Sequence, residues 1–146
     1  DSGVGAMTRG GAIPPHTADF FIGFTDGSRG EPWHWSEMFT KRGYRHAIAL
    51  TPDGAGTIIV NGLSWRLHVE RVAIPIGWVL RHFMLEGFWF VFHRATIRAR
   101  PWRPAVLSCV EIIKALVGIR APLVITPWQL YRRLRSLGAT PVLWRA

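Results

Sequence analysis

The hydrophobic pattern predicts strands in the first half of the chain. Residues 19–24 and 44–50 are short apolar runs, and a third run covers residues 57–60. In residues 65–72, apolar and polar side chains alternate with the period of a half-buried strand. The segment from Thr51 to Gly56 is rich in turn-forming residues, so we expect it to be a hairpin loop, with Leu50 opposite Thr57.

The second half of the chain carries helical signals. Residues 76–86 space their apolar side chains at helical intervals before Gly87, and residues 88–97 are aromatic and β-branched, which favours a strand. A capping-box pattern at Ser108 and Glu111 predicts a helix over residues 109–117, and the same pattern at Thr126 and Gln129 predicts another. Together these elements predict an α+β fold in which helices pack on an antiparallel sheet.

The length of 146 residues suits a single domain. Residues 1–18 are rich in small and turn-forming residues, and we interpret them as a flexible leader ahead of one domain over residues 19–146. The leader has no apolar run, so we expect no signal peptide there. The most apolar stretch, residues 72–92, contains Arg81 and Glu86, and we therefore expect no transmembrane segment.

The charge of the chain indicates an affinity for anions. Of its 18 cationic residues, 16 are arginine, and the formal net charge is +9. Nucleic acid, anionic lipid and acidic cell-wall polymers are the candidate partners, while a solvated basic surface without a dedicated partner is the alternative. A cluster of arginines with one tryptophan suits single-stranded nucleic acid; its members are Arg94, Arg98, Arg100, Trp102 and Arg103.

The single cysteine, Cys109, is the first candidate for chemistry. One cysteine cannot form an internal disulfide, so this residue is a free thiol. If Ser108 caps the helix, Cys109 is its first residue, where unpaired backbone N–H groups and the helix dipole favour a thiolate and can hold an oxyanion. The alternative is that Cys109 is a small core residue.

A cysteine nucleophile needs a base and a group that orients the base. We select His46 as the base because, in the expected register, it lies opposite Asn61, whose side-chain oxygen would accept from the imidazole. A shift of one residue would move Asn61 to the other face, and Asn61-Gly62 is also a strong turn signal. His68 is the reserve, as base or as orienting residue.

This order of elements resembles the circularly permuted papain-like hydrolases, including lecithin retinol acyltransferase and amidase-like proteins. The resemblance lies in residues 45–50, Arg-His-Ala-Ile-Ala-Leu, and in residues 108–113, Ser-Cys-Val-Glu-Ile-Ile. It implies a cysteine hydrolase or acyltransferase acting on an amide or ester bond of a peptide, cell-wall peptide or lipid. It assigns Cys109 as nucleophile and His46 as base, whereas Asn61 stands where a second histidine or an acid is more usual.

Residues 125–134 also resemble segments of small proteins from bacteriophages and prophages. The localisation stays open between the cytoplasm and a virion. A catalytically inactive papain-like module that binds other virion proteins is the competing function. A basic nucleic-acid-binding protein is the third. No phosphate loop, dinucleotide fingerprint or paired-histidine zinc motif is present, so we expect neither a cofactor nor a metal.

Overall fold

A computed structural model describes residues 16–26, 41–63, 66–97 and 108–143. The elements follow one another as six strands and three helices. In chain order they are β1 (His16–Thr25), β2 (His46–Asp53), β3 (Gly56–Leu63), β4 (Arg66–Val72), α1 (Ile76–Leu85), β5 (Trp89–Ile97), α2 (Cys109–Leu116), α3 (Pro127–Ser136) and β6 (Thr140–Pro141). The expected α+β class with an antiparallel sheet and packed helices is confirmed.

The six strands form one antiparallel sheet in the order β4-β3-β2-β1-β5-β6. Helices cover both of its faces. On one face, α2 and α3 contribute Val110, Ile113, Leu130 and Leu134 to a core that includes Ala47 and Ala49 of β2. On the other face, α1 packs against alternate residues of the same strand, Ile48 and Leu50. The strand β2 is therefore buried on both sides, which fits its continuous apolar run.

Several expected boundaries need correction. The strand β1 begins at His16, so residues 16–18 belong to the sheet and not to a leader; Thr17, for example, pairs with Thr96. The leader's remaining residues, 1–15, lie outside the described residues, as do residues 98–107 with most of the proposed arginine cluster. The alternating strand β4 is not half-buried, because both of its faces are exposed up to Arg71. The short edge strand β6 was not predicted.

The register of the β2–β3 hairpin also differs from the expectation. Leu50 pairs with Ile59 and not with Thr57, because residues 51–53 extend β2 and the turn contains only Gly54 and Ala55. Gly54 has a φ of 59°, a left-handed conformation that glycine adopts without steric cost. The shift amounts to two residues, so every side chain keeps its predicted face.

The helix caps bear out one capping box fully and the other in part. Thr126 and Gln129 bond reciprocally at the start of α3, with Pro127 as the first helical residue. At α2, Ser108 Oγ accepts from the Glu111 backbone N–H at 3.2 Å, as predicted. The Glu111 carboxylate, however, forms an ion pair with the buried Lys114. Among the described residues, no helix is long and apolar enough to cross a membrane.

Candidate active site

The first two predicted site residues are in direct contact. His46 opens β2, and Asn61 lies on the neighbouring strand β3. The distance from His46 Nε2 to Asn61 Oδ1 is 2.8 Å, within the range of a good hydrogen bond. The two-residue register shift places Asn61 diagonally across from His46, and diagonal neighbours on one face are within reach of a long side chain.

This hydrogen bond determines which nitrogen of the neutral imidazole ring carries the proton. The carboxamide oxygen of Asn61 can only accept, so Nε2 of His46 donates. In the neutral ring the remaining lone pair is then on Nδ1, and that nitrogen is the one able to accept a proton. Asn61 therefore fixes the neutral tautomer of His46 that carries its proton on Nε2.

The third predicted residue, Cys109, is the first residue of α2, as expected. Ser108 adopts extended φ and ψ and caps the helix with its hydroxyl, which fixes where the first turn starts. Cys109 is only partly exposed and packs at the border of the core beneath α2 and α3. The prediction of a helix-start thiol is confirmed, but this thiol is largely enclosed.

A glycine allows the start of α2 to approach the sheet closely. A Cβ atom at Gly62 would lie 2.8 Å from Cys109 Cα, 3.1 Å from Cys109 N and 2.8 Å from Ile112 Cδ1. Real Cβ atoms do not approach backbone atoms that closely, so any side chain at this position would displace the helix. The composition of Asn61-Gly62 is also that of a turn, but both residues lie inside β3.

The strands separate at the point where Cys109 meets them. Over the described residues, β2 and β3 pair only as far as Ile48 with Asn61. Beyond that pair, Ala47 lies opposite Phe24 of β1, and Gly62 lies opposite Leu67 of β4. Cys109 packs at this end of the strands on the face of the sheet that Ala47 and Gly62 occupy. His46 and Asn61 alternate with those residues along β2 and β3, so their side chains lie on the other face, with Ile48.

Burial raises the pKa of the Cys109 thiol above its ordinary value. Backbone hydrogen bonds from Ala47, Val110 and Cys109 itself lower the pKa, but they do not outweigh desolvation. The expectation that the helix start would favour the thiolate is therefore wrong for the unliganded protein. The same N–H groups that oppose the shift are oriented to stabilise negative charge at or near the sulfur.

The reserve residue occupies a more peripheral place. His68 is the direct cross-strand partner of Asn61 on the edge strand β4, and its side chain is 56% exposed. Its Nε2 lies 3.4 Å from Glu70 Oε2, a carboxylate on its own strand. The observed hydrogen bond of His46 Nε2 is the one to Asn61 Oδ1. Within the described ranges, no group of three metal-binding side chains comes together.

Comparisons of this chain with protein-family models, with curated proteins and with solved structures each returned no match.

Proposed function

We propose that this protein is a cysteine hydrolase or acyltransferase of the permuted papain-like type, acting on an amide or ester bond through Cys109 and His46. The observation that supports the proposal is the hydrogen bond of His46 to Asn61 at the end of β2 and β3, where the start of α2 approaches Gly62. Nucleophilic catalysis by cysteine requires a thiol, a base and a group that orients the base, and we assign these roles to Cys109, His46 and Asn61. Because His46 and Cys109 lie on opposite faces of the sheet, the proposal requires the imidazole to turn around the end of β2 to reach the thiol.

The raised pKa of Cys109 indicates how the thiol is activated. Because burial keeps the sulfur protonated, the proton leaves only as the sulfur attacks, and His46 Nδ1 takes it as a general base. The sulfur bonds to the substrate carbonyl carbon, and the carbonyl oxygen becomes an oxyanion that backbone N–H groups at the α2 start stabilise. Ala47 N–H is a further donor in the same place.

Collapse of this intermediate breaks the bond to the leaving group. His46 returns its proton to the leaving amine or alcohol, and a thioester on Cys109 remains. Water, or an acceptor alcohol or amine, then attacks the thioester while His46 removes its proton. The acyl product leaves, and the thiol of Cys109 is restored with the proton from His46.

The proposal is tested by trapping the acyl-enzyme with an activated ester such as p-nitrophenyl acetate and locating the acetyl group by peptide mass spectrometry. The expected result is one acetyl group on Cys109, sensitive to hydroxylamine and released over time. His46→Ala is expected to slow acylation by roughly 100-fold or more, the range of general-base catalysis. His93→Ala is the matched control, since His93 is a partly buried histidine on β5.

Acetylation confined to lysines and the amino terminus, with the same rate in wild type and His46→Ala, would refute the proposal. Because the chain has one cysteine, a thioester can form only at Cys109.

A second candidate is a papain-like module that binds a partner without catalysis. The raised pKa of Cys109 favours it, because a buried neutral thiol is unreactive on its own. The same acylation experiment separates the two: the binding module predicts no thioester at Cys109 in wild type.

A further inference from the structure

The carboxyl-terminal quarter of the chain contains basic but no acidic residues. Glu111 is the last acidic residue of the sequence, and residues 112–146 contain six lysines and arginines. Lys114 is buried and bonded to backbone carbonyls, whereas Arg120, Arg132, Arg133 and Arg135 are exposed. Among residues 112–143, every exposed charged side chain is therefore a cation, which attracts anions.

The exposed side of α3 forms a continuous stripe. Its core side is defined by the buried Pro127, Leu130 and Leu134. The opposite side, which we call the basic stripe, comprises exposed residues at helical spacing, namely Ile125, Gln129, Arg132, Arg133 and Ser136. Gln129 Oε1 accepts from the Ile125 backbone N–H at 2.9 Å, which ties the residue before the helix cap to the stripe.

Large aliphatic side chains are exposed at both ends of the basic stripe. Leu123 is 87% exposed and Ile125 is 67% exposed before the helix, and Leu137 is 44% exposed after it. Aliphatic side chains next to arginines are typical of surfaces that lie in a lipid interface, where the apolar groups enter the acyl boundary and the cations contact headgroups.

The aromatic residues of α3 argue against single-stranded nucleic acid at this surface. Binding of single strands relies on aromatic side chains that stack on bases. Trp128 and Tyr131 stack on each other with ring centroids 5.5 Å apart, and Lys41 lies over the Trp128 ring. Tyr131 also contacts Phe24 in the core, so the rings of α3 are engaged within the fold.

We propose that the basic stripe, with Leu123 and Leu137, binds the surface of anionic lipid membranes. The inference is independent of the chemistry at Cys109. The stripe docks on headgroups through Arg132 and Arg133, while Leu123 and Ile125 insert at the acyl boundary.

The test is co-sedimentation of the full chain with vesicles of phosphatidylcholine alone or with about one-third phosphatidylserine. We expect binding to the anionic vesicles only, weakening as salt is raised. Arg132→Gln/Arg133→Gln is expected to lower the partition coefficient by roughly fivefold for each charge removed. Leu123→Ser/Ile125→Ser is expected to lower it by about tenfold with the charges intact.

The matched control is Arg66→Gln/Arg71→Gln, which removes the same charge from the edge strand β4 and is expected to bind as wild type does. Circular dichroism confirms folding of each variant. Failure of wild type to bind anionic vesicles overturns the proposal. Equal binding by the control and the Arg132/Arg133 variant overturns it as well. Tighter binding to a labelled single-stranded oligonucleotide, unaffected by Leu123→Ser/Ile125→Ser, would assign the stripe to nucleic acid instead.

Discussion

Replacing Gly62 with alanine tests whether the close contact between α2 and the strands positions the thiol. The added methyl group would lie 2.8 Å from Cys109 Cα and 2.8 Å from Ile112 Cδ1. The Ile112 side chain can change rotamer to make room, but the backbone of Cys109 cannot. The start of the helix must therefore move away by several tenths of an ångström.

The expected loss of stability follows from this overpacking. Inserting one methyl group into a well-packed contact costs about 1–3 kcal/mol, and the fixed backbone atom places Gly62→Ala in the upper half of that range. Urea denaturation followed by far-ultraviolet circular dichroism measures it. The displacement also separates the sulfur from Ala47 N–H, so acylation of Cys109 is expected to slow in the fraction that remains folded.

Gly77→Ala is the matched control for this variant. Gly77 lies in the first turn of α1, where an added Cβ atom would meet no described atom within 4 Å, and alanine is the better helix former by up to about 1 kcal/mol. Gly77→Ala is therefore expected to be neutral or stabilising. If Gly62→Ala were as stable as wild type and reacted at the same rate, the close approach of α2 to β3 would have no part in positioning Cys109.

Three further predictions concern buried ionisable groups. Lys114→Met removes the donor to the carbonyls of Ala121 and Val124, each 2.9 Å from Nζ, and is expected to lower the free energy of unfolding by about 2–3 kcal/mol in urea titrations; no loss would show that these bonds are dispensable. Because burial raises the pKa of Cys109, the neutral thiol stabilises the fold fully below the ordinary thiol pKa, and this contribution is lost as pH rises through the folded-state pKa. Between about pH 8 and about pH 10, Cys109→Ala should therefore lose less unfolding free energy than wild type. Parallel plots of unfolding free energy against pH for the two proteins would contradict this. Burial lowers the pKa of His93, so its contribution is present above about pH 6.5 and is lost as pH falls through the folded-state value; His93→Gln should unfold less readily in acid than wild type, and equal acid midpoints would refute it.

The contact between His46 and Asn61 could be predicted from sequence because strand periodicity survives an error in register. The segment Thr51-Pro52-Asp53 has turn composition, yet all three residues pair with β3 and the turn is shorter than expected. Local composition does not determine where a strand stops pairing, so the register was wrong. A two-residue error preserves the face, and for that reason the contact between His46 and Asn61 was still correctly predicted.

Features that depend on tertiary packing could not be predicted in the same way. The dipole of α2 alone favours a thiolate at Cys109, whereas burial by the elements around it raises the pKa of the thiol. Likewise, alternation in β4 indicates a strand but does not say whether a helix covers it, and β4 is an exposed edge. Gly62 did carry a usable signal, since a glycine inside a strand often marks a close backbone approach.

The most direct test of the central claim is the pH dependence of Cys109 alkylation by iodoacetamide in wild type and His46→Ala. With His46 acting as the base for a buried thiol, the wild-type protein should be alkylated readily near neutral pH. The His46→Ala rate should be at least about tenfold lower there and should keep rising with pH well above the ordinary thiol pKa of about 8.5. Superimposable profiles for the two proteins would contradict the assignment of Cys109 and His46 as a catalytic pair.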